Sequence, residues 1–388
     1  MKIAIEAQRL FRKKKHGMDI VALELIKHLQ QLDQVNEYFI LVKPDTDNKI
    51  LSETPNFHII EIQGGPYPLW EQYHLPKMIR KINPDILHCT SNTTPIFVSA
   101  PLVLTLHDIL FMQRIDFTKG TLYQRYGNLY RRLIVPRIIH KCKKIITVSG
   151  FQKKEIDAYF SLPPDRVKVI YNSFDYRFKN IAHGDQLSLS RKKFNLPEKF
   201  ILYLGNTHPN KNINNVLKAI SLLHHETNEK ISLVMPDIDE SFLSKILAEI
   251  DDPGLRSQII LTGYIPNSEL KYVYTMASVF LYPSFYESFG IPILEAMACG
   301  TPVITSNAAA MPEIAAGAAI IIDPKEPTSL KNAMITLLSS PIQHSLYRER
   351  GLQRAKSFDW RVTADQVMAT YLEVYMQAKS VNREKQSA

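Results

Sequence analysis

Apolar residues in this chain gather in short runs, separated by longer stretches in which polar and apolar positions alternate at helical spacing. In the first half the runs lie at 2–7, 38–42, 58–62, 86–89, 102–106 and 145–148. In the second they lie at 200–204, 231–235, 259–261, 279–281 and 302–304. Runs this short, spaced by helical stretches, predict βαβ units and parallel sheets. The polar stretch 172–194 breaks the rhythm and reads as a linker. The expected organisation is therefore α/β, with doubly wound Rossmann-like domains at 1–178 and 179–360. A helix predicted over 362–379 has no strand after it. It sets off a last segment, 361–388, able to cap either domain; we place it back on the first. Two sheets joined in this way are expected to turn the C-terminal ends of their strands toward a central cleft, where ligands of such sheets bind.

Length agrees, since 388 residues exceed one ordinary core and suit two domains. With 45% hydrophobic and 22% charged residues, the composition is that of a globular enzyme. The start lacks the apolar core of a signal peptide, and no stretch reads as a membrane span. Cys89, Cys142 and Cys299 are widely spaced and form no C-x-x-C pair, so they read as packing residues in a reducing cytoplasm. Charge adds more. Residues 1–178 hold 26 Lys+Arg against 17 Asp+Glu, whereas 179–388 hold 21 of each. The first half therefore expects an anionic substrate or surface. No nucleic-acid-binding signature is present, which leaves a phospholipid surface and a peripheral place on the inner face of the plasma membrane. The stretch 114–144 concentrates the cations, with Tyr123, Tyr126 and Tyr130 at helical spacing. Its tyrosines either pack inward on an ordinary amphipathic helix, or the helix lays a basic face on an anionic membrane.

The segment from Tyr282 to Val303 carries the richest chemistry. A strand runs into a loop, and a helix is expected from about Ile291 to Gly300, with Pro292 suited to its first turn. Amides of Phe289, Gly290 and Ile291 then lie at a helix N-terminus, an anion site that Gly290 lets a ligand approach closely. Glu287 and Glu295 flank it. Two carboxylates there suit sugar or ribose hydroxyls, although a solvated loop acid and a dipole-favoured helix acid would look the same.

Glu287 and Glu295, with seven residues between them within Tyr286-Glu-Ser-Phe-Gly-Ile-Pro-Ile-Leu-Glu-Ala-Met-Ala-Cys-Gly-Thr-Pro-Val-Ile, resemble the E-x7-E signature of glycosyltransferase family 4, whose members are retaining enzymes of the GT-B fold. The likeness extends to Ala309-Ala-Met-Pro-Glu-Ile, Gly263-Tyr-Ile-Pro, Ile145-Ile-Thr-Val-Ser-Gly-Phe and His107-Asp108, and so spans roughly the whole chain. It implies that Glu287 contacts the transferring hexose and that Phe289, Gly290 and Ile291 offer amides to the sugar and distal phosphate. Glu295 is implied to hold the ribose, and Ile265 to meet the base through its backbone. His107 is implied to touch the sugar, and Asp108 to lie toward the acceptor. Lys211 matches the family's phosphate lysine, while Asn206 stands where many relatives carry an arginine. Of the glycine pair usual after the first strand, only Gly17 is present. Trp70-Glu71-Gln72 and Ser91-Asn92-Thr-Thr read as polar or aromatic loops on the same edge of the first domain, and Glu71 and Asn92 are acceptor-side candidates.

The overall flavour is similar to bacterial surface-polysaccharide mannosyltransferases. GDP-mannose is thus favoured over a UDP-hexose as donor, with a saccharide or lipid-linked acceptor and no cofactor. Two D-x-D triplets, at Asp45 and Asp237, raise the alternative of a divalent cation, but neither adjoins the E-x7-E segment and no metal is expected. A phosphorylase would need a cofactor lysine and a longer chain. A dinucleotide oxidoreductase would need a G-x-G-x-x-G after a strand, which is missing. A non-catalytic nucleotide-sugar-binding protein stays open.

Overall fold

The computed structural model describes residues 1–112, 122–181, 184–227 and 231–387, without the side chains of 122–124 and 381–387. Two sheets form. The first holds β1 (Lys2–Glu6), β2 (Glu37–Val42), β3 (Phe57–Glu61), β4 (Ile86–Cys89), β5 (Leu102–Thr105), β6 (Lys144–Thr147) and β7 (Val167–Val169), in the order β3-β2-β1-β4-β5-β6-β7. The second holds β8 (Phe200–Tyr203), β9 (Ser232–Met235), β10 (Ile259–Leu261), β11 (Val279–Tyr282), β12 (Val303–Ser306) and β13 (Ile320–Ile322), in the order β10-β9-β8-β11-β12-β13. Every pairing is parallel; Ile3 faces Ile86 on one side of β1, and Ile5 faces Ile40 on the other.

Parallel strands covered by helices on both faces are apolar along their length, and here β4, β5, β8 and β11 are buried at every position. The sequence pattern missed β7 and β13. Each has three residues at a sheet edge, and one face stays wet: Ile321 is 38% exposed. In each sheet the strand order reverses beside the first strand, between β1 and β4 and between β8 and β11. Ligands of open parallel sheets settle beyond the C-terminal ends of strands at such a reversal.

The chain divides into two compact units, Met1–Asn172 with Trp360–Ala388, and Ser173–Asp359. The first unit has two apolar cores. One joins Trp70, Leu75 and Ile79 to Leu87, Leu104 and Ile138; the other joins Ile5 and Ile40 to Leu25, Ile26 and Leu29. The helix Trp360–Ser387 belongs to this second core, running along the helix Gly17–Leu32 and burying Ala364, Val367, Tyr371 and Val374. That spacing is one face of a helix. Polar contacts fix its register: the Tyr371 hydroxyl lies 2.7 Å from His88 Nδ1, and Lys144 Nζ lies 2.5 Å from Glu373 Oε1. Lys144, counted in sequence among the cations of 114–144, is thus buried and paired, and adds nothing to a surface patch.

Candidate functional site

Beyond β8 and β11 the second unit assembles a compact charged site. Tyr203 ends β8, and its hydroxyl donates to the Lys211 carbonyl at 2.9 Å, stapling the loop that carries the lysine. Gly205 leaves room for that tyrosine: a Cβ there would stand 2.3 Å from the hydroxyl. Asn212 takes a left-handed conformation before the helix Ile213–Glu226 and donates to the carbonyls of Pro283 at 2.9 Å and Pro324 at 2.7 Å. The loops after β8 and β11 are thereby tied together, and the Phe285 N–H adds a bond to the Asn210 carbonyl at 2.7 Å. Lys211 Nζ donates to Glu287 Oε1 at 2.7 Å and to the Tyr282 hydroxyl at 3.0 Å, and sits 4.8 Å from the centre of the Tyr282 ring. Both members of the ion pair stay about one-fifth exposed, so a ligand can reach them.

Gly290 has φ 109° and precedes the helix Ile291–Ala298, whose Ile293 N–H donates to the Gly290 carbonyl at 3.0 Å. A Cβ on Gly290 would press on Ile293 Cδ1 at 3.2 Å, in a backbone conformation that L side chains rarely adopt. The Phe289 side chain is buried against Phe358, so only its backbone could serve a ligand. Glu295 lies further along the same helix and accepts from the Tyr274 hydroxyl at 3.1 Å. Burial raises its carboxyl to about 7; the tyrosine opposes the shift, and Asp175 adds to it. Ile265 has a buried side chain just after Gly263, whose carbonyl accepts from the Asp237 N–H at 3.0 Å. Asn206 is exposed and accepts from the His208 N–H at 2.9 Å, so it shapes the turn and supplies no charge.

The two D-x-D triplets have structural work. Asp47 pairs with Lys15 at 2.5 Å, and Asp239 caps the helix Glu240–Leu247 by accepting from the Phe242 N–H at 2.8 Å. Among the described residues no three His, Cys, Asp or Glu side chains gather as a metal site.

In the first unit, Gly17 opens the helix Gly17–Leu32 with open space where a Cβ would stand. His107 follows β5 and is almost wholly buried. Its backbone N–H donates to Asn92 Oδ1 at 2.7 Å, and its Nε2 bonds the Thr90 carbonyl at 2.9 Å. Burial holds its pKa below the ordinary value, so the ring is neutral with the proton on Nε2 and the lone pair on Nδ1. Asn92, read as an acceptor-side residue, thus positions His107. Asp108 Oδ1 accepts locally from the Leu110 N–H at 3.1 Å.

Glu71 departs most from expectation. Instead of a polar loop, it occupies the helical turn Trp70–His74 and is fully buried. Its oxygens accept from Tyr67 at 2.6 Å, Thr93 at 2.5 Å, Gln72 at 2.9 Å and Tyr130. Glu6, at the end of β1, is equally buried, and sequence reasoning passed over it as part of an apolar strand. Its carboxyl is raised to about 7, chiefly by burial, with Glu71 adding to the shift and Arg9 opposing it. On the helix Leu122–Ile138 the tyrosines divide: Tyr130 packs inward against the core and donates to Glu71, whereas Tyr126 is 72% exposed, with Leu129 and Leu133 exposed beside it. Arg114 and Lys119 lie outside the described residues, as does the side chain of Tyr123.

Known proteins resemble this chain in sequence and in fold. Residues 187–354 match the model described as Glycosyl transferases group 1, and residues 16–178 match Glycosyltransferase Family 4. O-antigen chain mannosyltransferase B of Escherichia coli is 30% identical over 370 residues, covering 92% of this chain and 95% of that protein. Among solved structures, sucrose-phosphate synthase from Thermosynechococcus elongatus superposes with a TM-score of 0.75 at 18% identity, covering 97% of this chain and 99% of the other. Anabaena HepE in complex with UDP gives 0.73 at 17% identity, covering 96% and 100%. These structures establish the GT-B fold. The chain belongs to glycosyltransferase family 4.

Proposed function

We propose that this glycosyltransferase moves mannose from GDP-mannose to a saccharide or lipid-linked acceptor, with retention of anomeric configuration, in surface-polysaccharide synthesis. The observation that carries the reading is the Lys211–Glu287 pair, set beside a helix N-terminus at the strand reversal of the second sheet. One cation and one carboxylate, adjacent and open, match the two halves of a nucleotide sugar. Lys211 would take the diphosphate, and Glu287, released from the lysine, would accept from sugar hydroxyls. The amides of Phe289, Gly290 and Ile291 would face the sugar and distal phosphate. Glu295 would hold the ribose diol, Ile265 would meet the base through its backbone, and Gly17 would leave room for a phosphate after β1. His107 would contact the transferring sugar through Nδ1, with Asp108 toward the acceptor.

As the glycosidic bond breaks, its electron pair leaves with the diphosphate, whose growing charge Lys211 and the helix N-terminus stabilise. The departing diphosphate oxygen takes the proton of the attacking hydroxyl on the same face, so no protein nucleophile is assigned. Mannose is favoured by the Escherichia coli relative, an O-antigen chain mannosyltransferase. The HepE complex with UDP keeps UDP-hexoses as the second reading.

The deciding experiment compares thermal shifts with GDP, UDP and ADP, then transfer from GDP-mannose and UDP-glucose with and without EDTA. Preferential stabilisation by GDP and chelator-resistant mannosyl transfer are expected. Preference for UDP would overturn the donor, and loss in EDTA with rescue by Mn²⁺ would overturn the metal-free reading.

A further inference from the structure

Glu295 is gripped by one of its two oxygens. Oε2 accepts from the Tyr274 hydroxyl at 3.1 Å, whereas among the described residues Oε1 takes no hydrogen bond. The residue is half-buried rather than sealed. Tyr274, by contrast, is wholly enclosed on the helix Asn267–Met276. Its ring packs edge-on against Phe280 of β11 at 5.1 Å and against Phe178, in the segment after β7, at 5.9 Å. Its carbonyl accepts from the Thr301 hydroxyl at 2.5 Å and from the Ala277 N–H at 3.0 Å. Backbone and ring are therefore fixed without help from the hydroxyl. Phenylalanine would pack at this place equally well, so the hydroxyl is there for the carboxylate.

We propose that Tyr274 is the positioning residue of the ribose contact, holding Oε2 of Glu295 so that Oε1 is presented to the diol before the nucleotide arrives. Immobilising a glutamate side chain costs about 1.5–2 kcal/mol of rotamer entropy. A carboxylate already held by Tyr274 relieves the nucleotide of that cost. The hydroxyl also acts on charge. Burial raises the Glu295 carboxyl, donation from Tyr274 opposes the rise, and Asp175 adds to it. An ionised carboxylate is acceptor-only, the form that suits two donating hydroxyls. The other titratable neighbours are Tyr282 at the end of β11 and Cys299 just past the end of the same helix. Burial raises both, so neither changes charge near neutral pH. The inference rests on the proposed role of Glu295 toward the ribose and on no other part of the donor site.

The test measures Kd by titration calorimetry for GDP and UDP and for their 2′,3′-dideoxy counterparts, with wild type, Tyr274→Phe and Glu295→Gln. Wild type should bind the ribose form of its preferred nucleotide about tenfold or more tighter than the dideoxy form. Tyr274→Phe, which keeps the ring and its packing, should cut that preference to about threefold or less while binding the dideoxy form as wild type does. As pH falls, its affinity for the ribose form should begin to decline at a higher pH than in wild type, because the carboxyl has lost a donor that favours its charge. In transfer assays donor KM should rise with kcat nearly unchanged. Equal weakening of both nucleotide forms would make Tyr274 a purely structural residue and overturn the proposal. So would an undiminished preference in Tyr274→Phe when Glu295→Gln abolishes it, and the ribose contact would then stand without the tyrosine. Should Tyr274→Phe misfold, replacing Tyr274 with 4-fluorophenylalanine fills the hydroxyl's place without donating and answers the same comparison. A wild type that binds neither nucleotide, or binds one without distinguishing its ribose form, would count against the donor reading itself and take the positioning role with it.

Discussion

Lys211 and Glu287 hold each other 2.7 Å apart, and under the proposed function a donor divides them between its phosphate and its sugar. The pair is only about one-fifth exposed, so Glu287→Ala should lower the thermal midpoint somewhat while the fold survives, since Lys211 keeps the Tyr282 hydroxyl as a partner. Transfer should fall by about 10², equivalent to about 2.7 kcal/mol of transition-state stabilisation; turnover near wild type would remove Glu287 from the site. Glu295 calls for a different measurement. A ribose contact is the same in ground and transition states, so Glu295→Gln should weaken GDP binding more than it lowers kcat. Its carboxyl is raised from 4.5 to about 7, so nucleotide affinity should decline as pH falls through 7 in wild type and not in the variant. Stability runs the other way. A raised acid favours the folded state below pH 4.5, and that contribution is lost as pH rises through about 7. The difference in midpoint between wild type and Glu295→Gln should therefore shrink or reverse across that window; calorimetric scans from pH 5 to 8 would show it. Glu287 and Glu295 stand out in the sequence through the E-x7-E resemblance, since a loop acid and a helix-start acid by themselves read as ordinary solvated residues. Glu6, Tyr203 and Tyr282 do not, because each ends an apolar strand and reads as its core.

Strands announce themselves when both faces are buried. The apolar runs located β1 to β6 and β8 to β12 to within about two residues, whereas β7, with Lys168 at its centre, and β13, three isoleucines at a sheet edge, were missed. Helical turns without a clear period were harder. Trp70–His74 was read as loop because its polar residues point into the core, where hydroxyls and an amide satisfy Glu71. The loop after β8 offers the sharpest test at this scale. Tyr203 fills the space where Gly205 lacks a side chain, and its hydroxyl holds the Lys211 carbonyl. Gly205→Ala must displace that ring, with an overpacking cost of about 1–3 kcal/mol. Lys211 should shift with it, so GDP affinity should drop as well as the midpoint. Tyr203→Phe, which removes the staple without crowding the loop, should lower affinity with little change in midpoint. If Gly205→Ala matches wild type in both measurements, the loop is not held in this way.

Across the whole chain, charge is divided unequally, since the cationic excess lies within residues 1–178. The structure also changes which cations matter. Lys144 is paired with Glu373, Lys15 with Asp47, and Arg132 donates to the Met112 carbonyl at 3.1 Å. Arg137, Lys141 and Lys143 remain exposed near the C-terminal end of the helix Leu122–Ile138, a helix that also exposes Tyr126, Leu129 and Leu133. Phe97 is 82% exposed, with Lys141 Nζ 5.0 Å from its ring centre. Among the described residues no helix is long and apolar enough to cross a membrane. Each cation near an anionic surface contributes about 1 kcal/mol, screened once salt brings the Debye length below about 10 Å. Exposed tyrosine, leucine and phenylalanine add an insertion component that salt does not screen. Sedimentation with phosphatidylglycerol vesicles should therefore show strong binding at low salt, a weaker remainder at high salt, and little binding to neutral lipid at either. Changing Arg137, Lys141 and Lys143 together to Glu should abolish the salt-sensitive part, whereas Leu129→Ser with Leu133→Ser should abolish the remainder. Equal binding to both lipids, or no loss in the triple charge variant, would leave this face as ordinary scaffold and place the basic excess in the service of an anionic substrate.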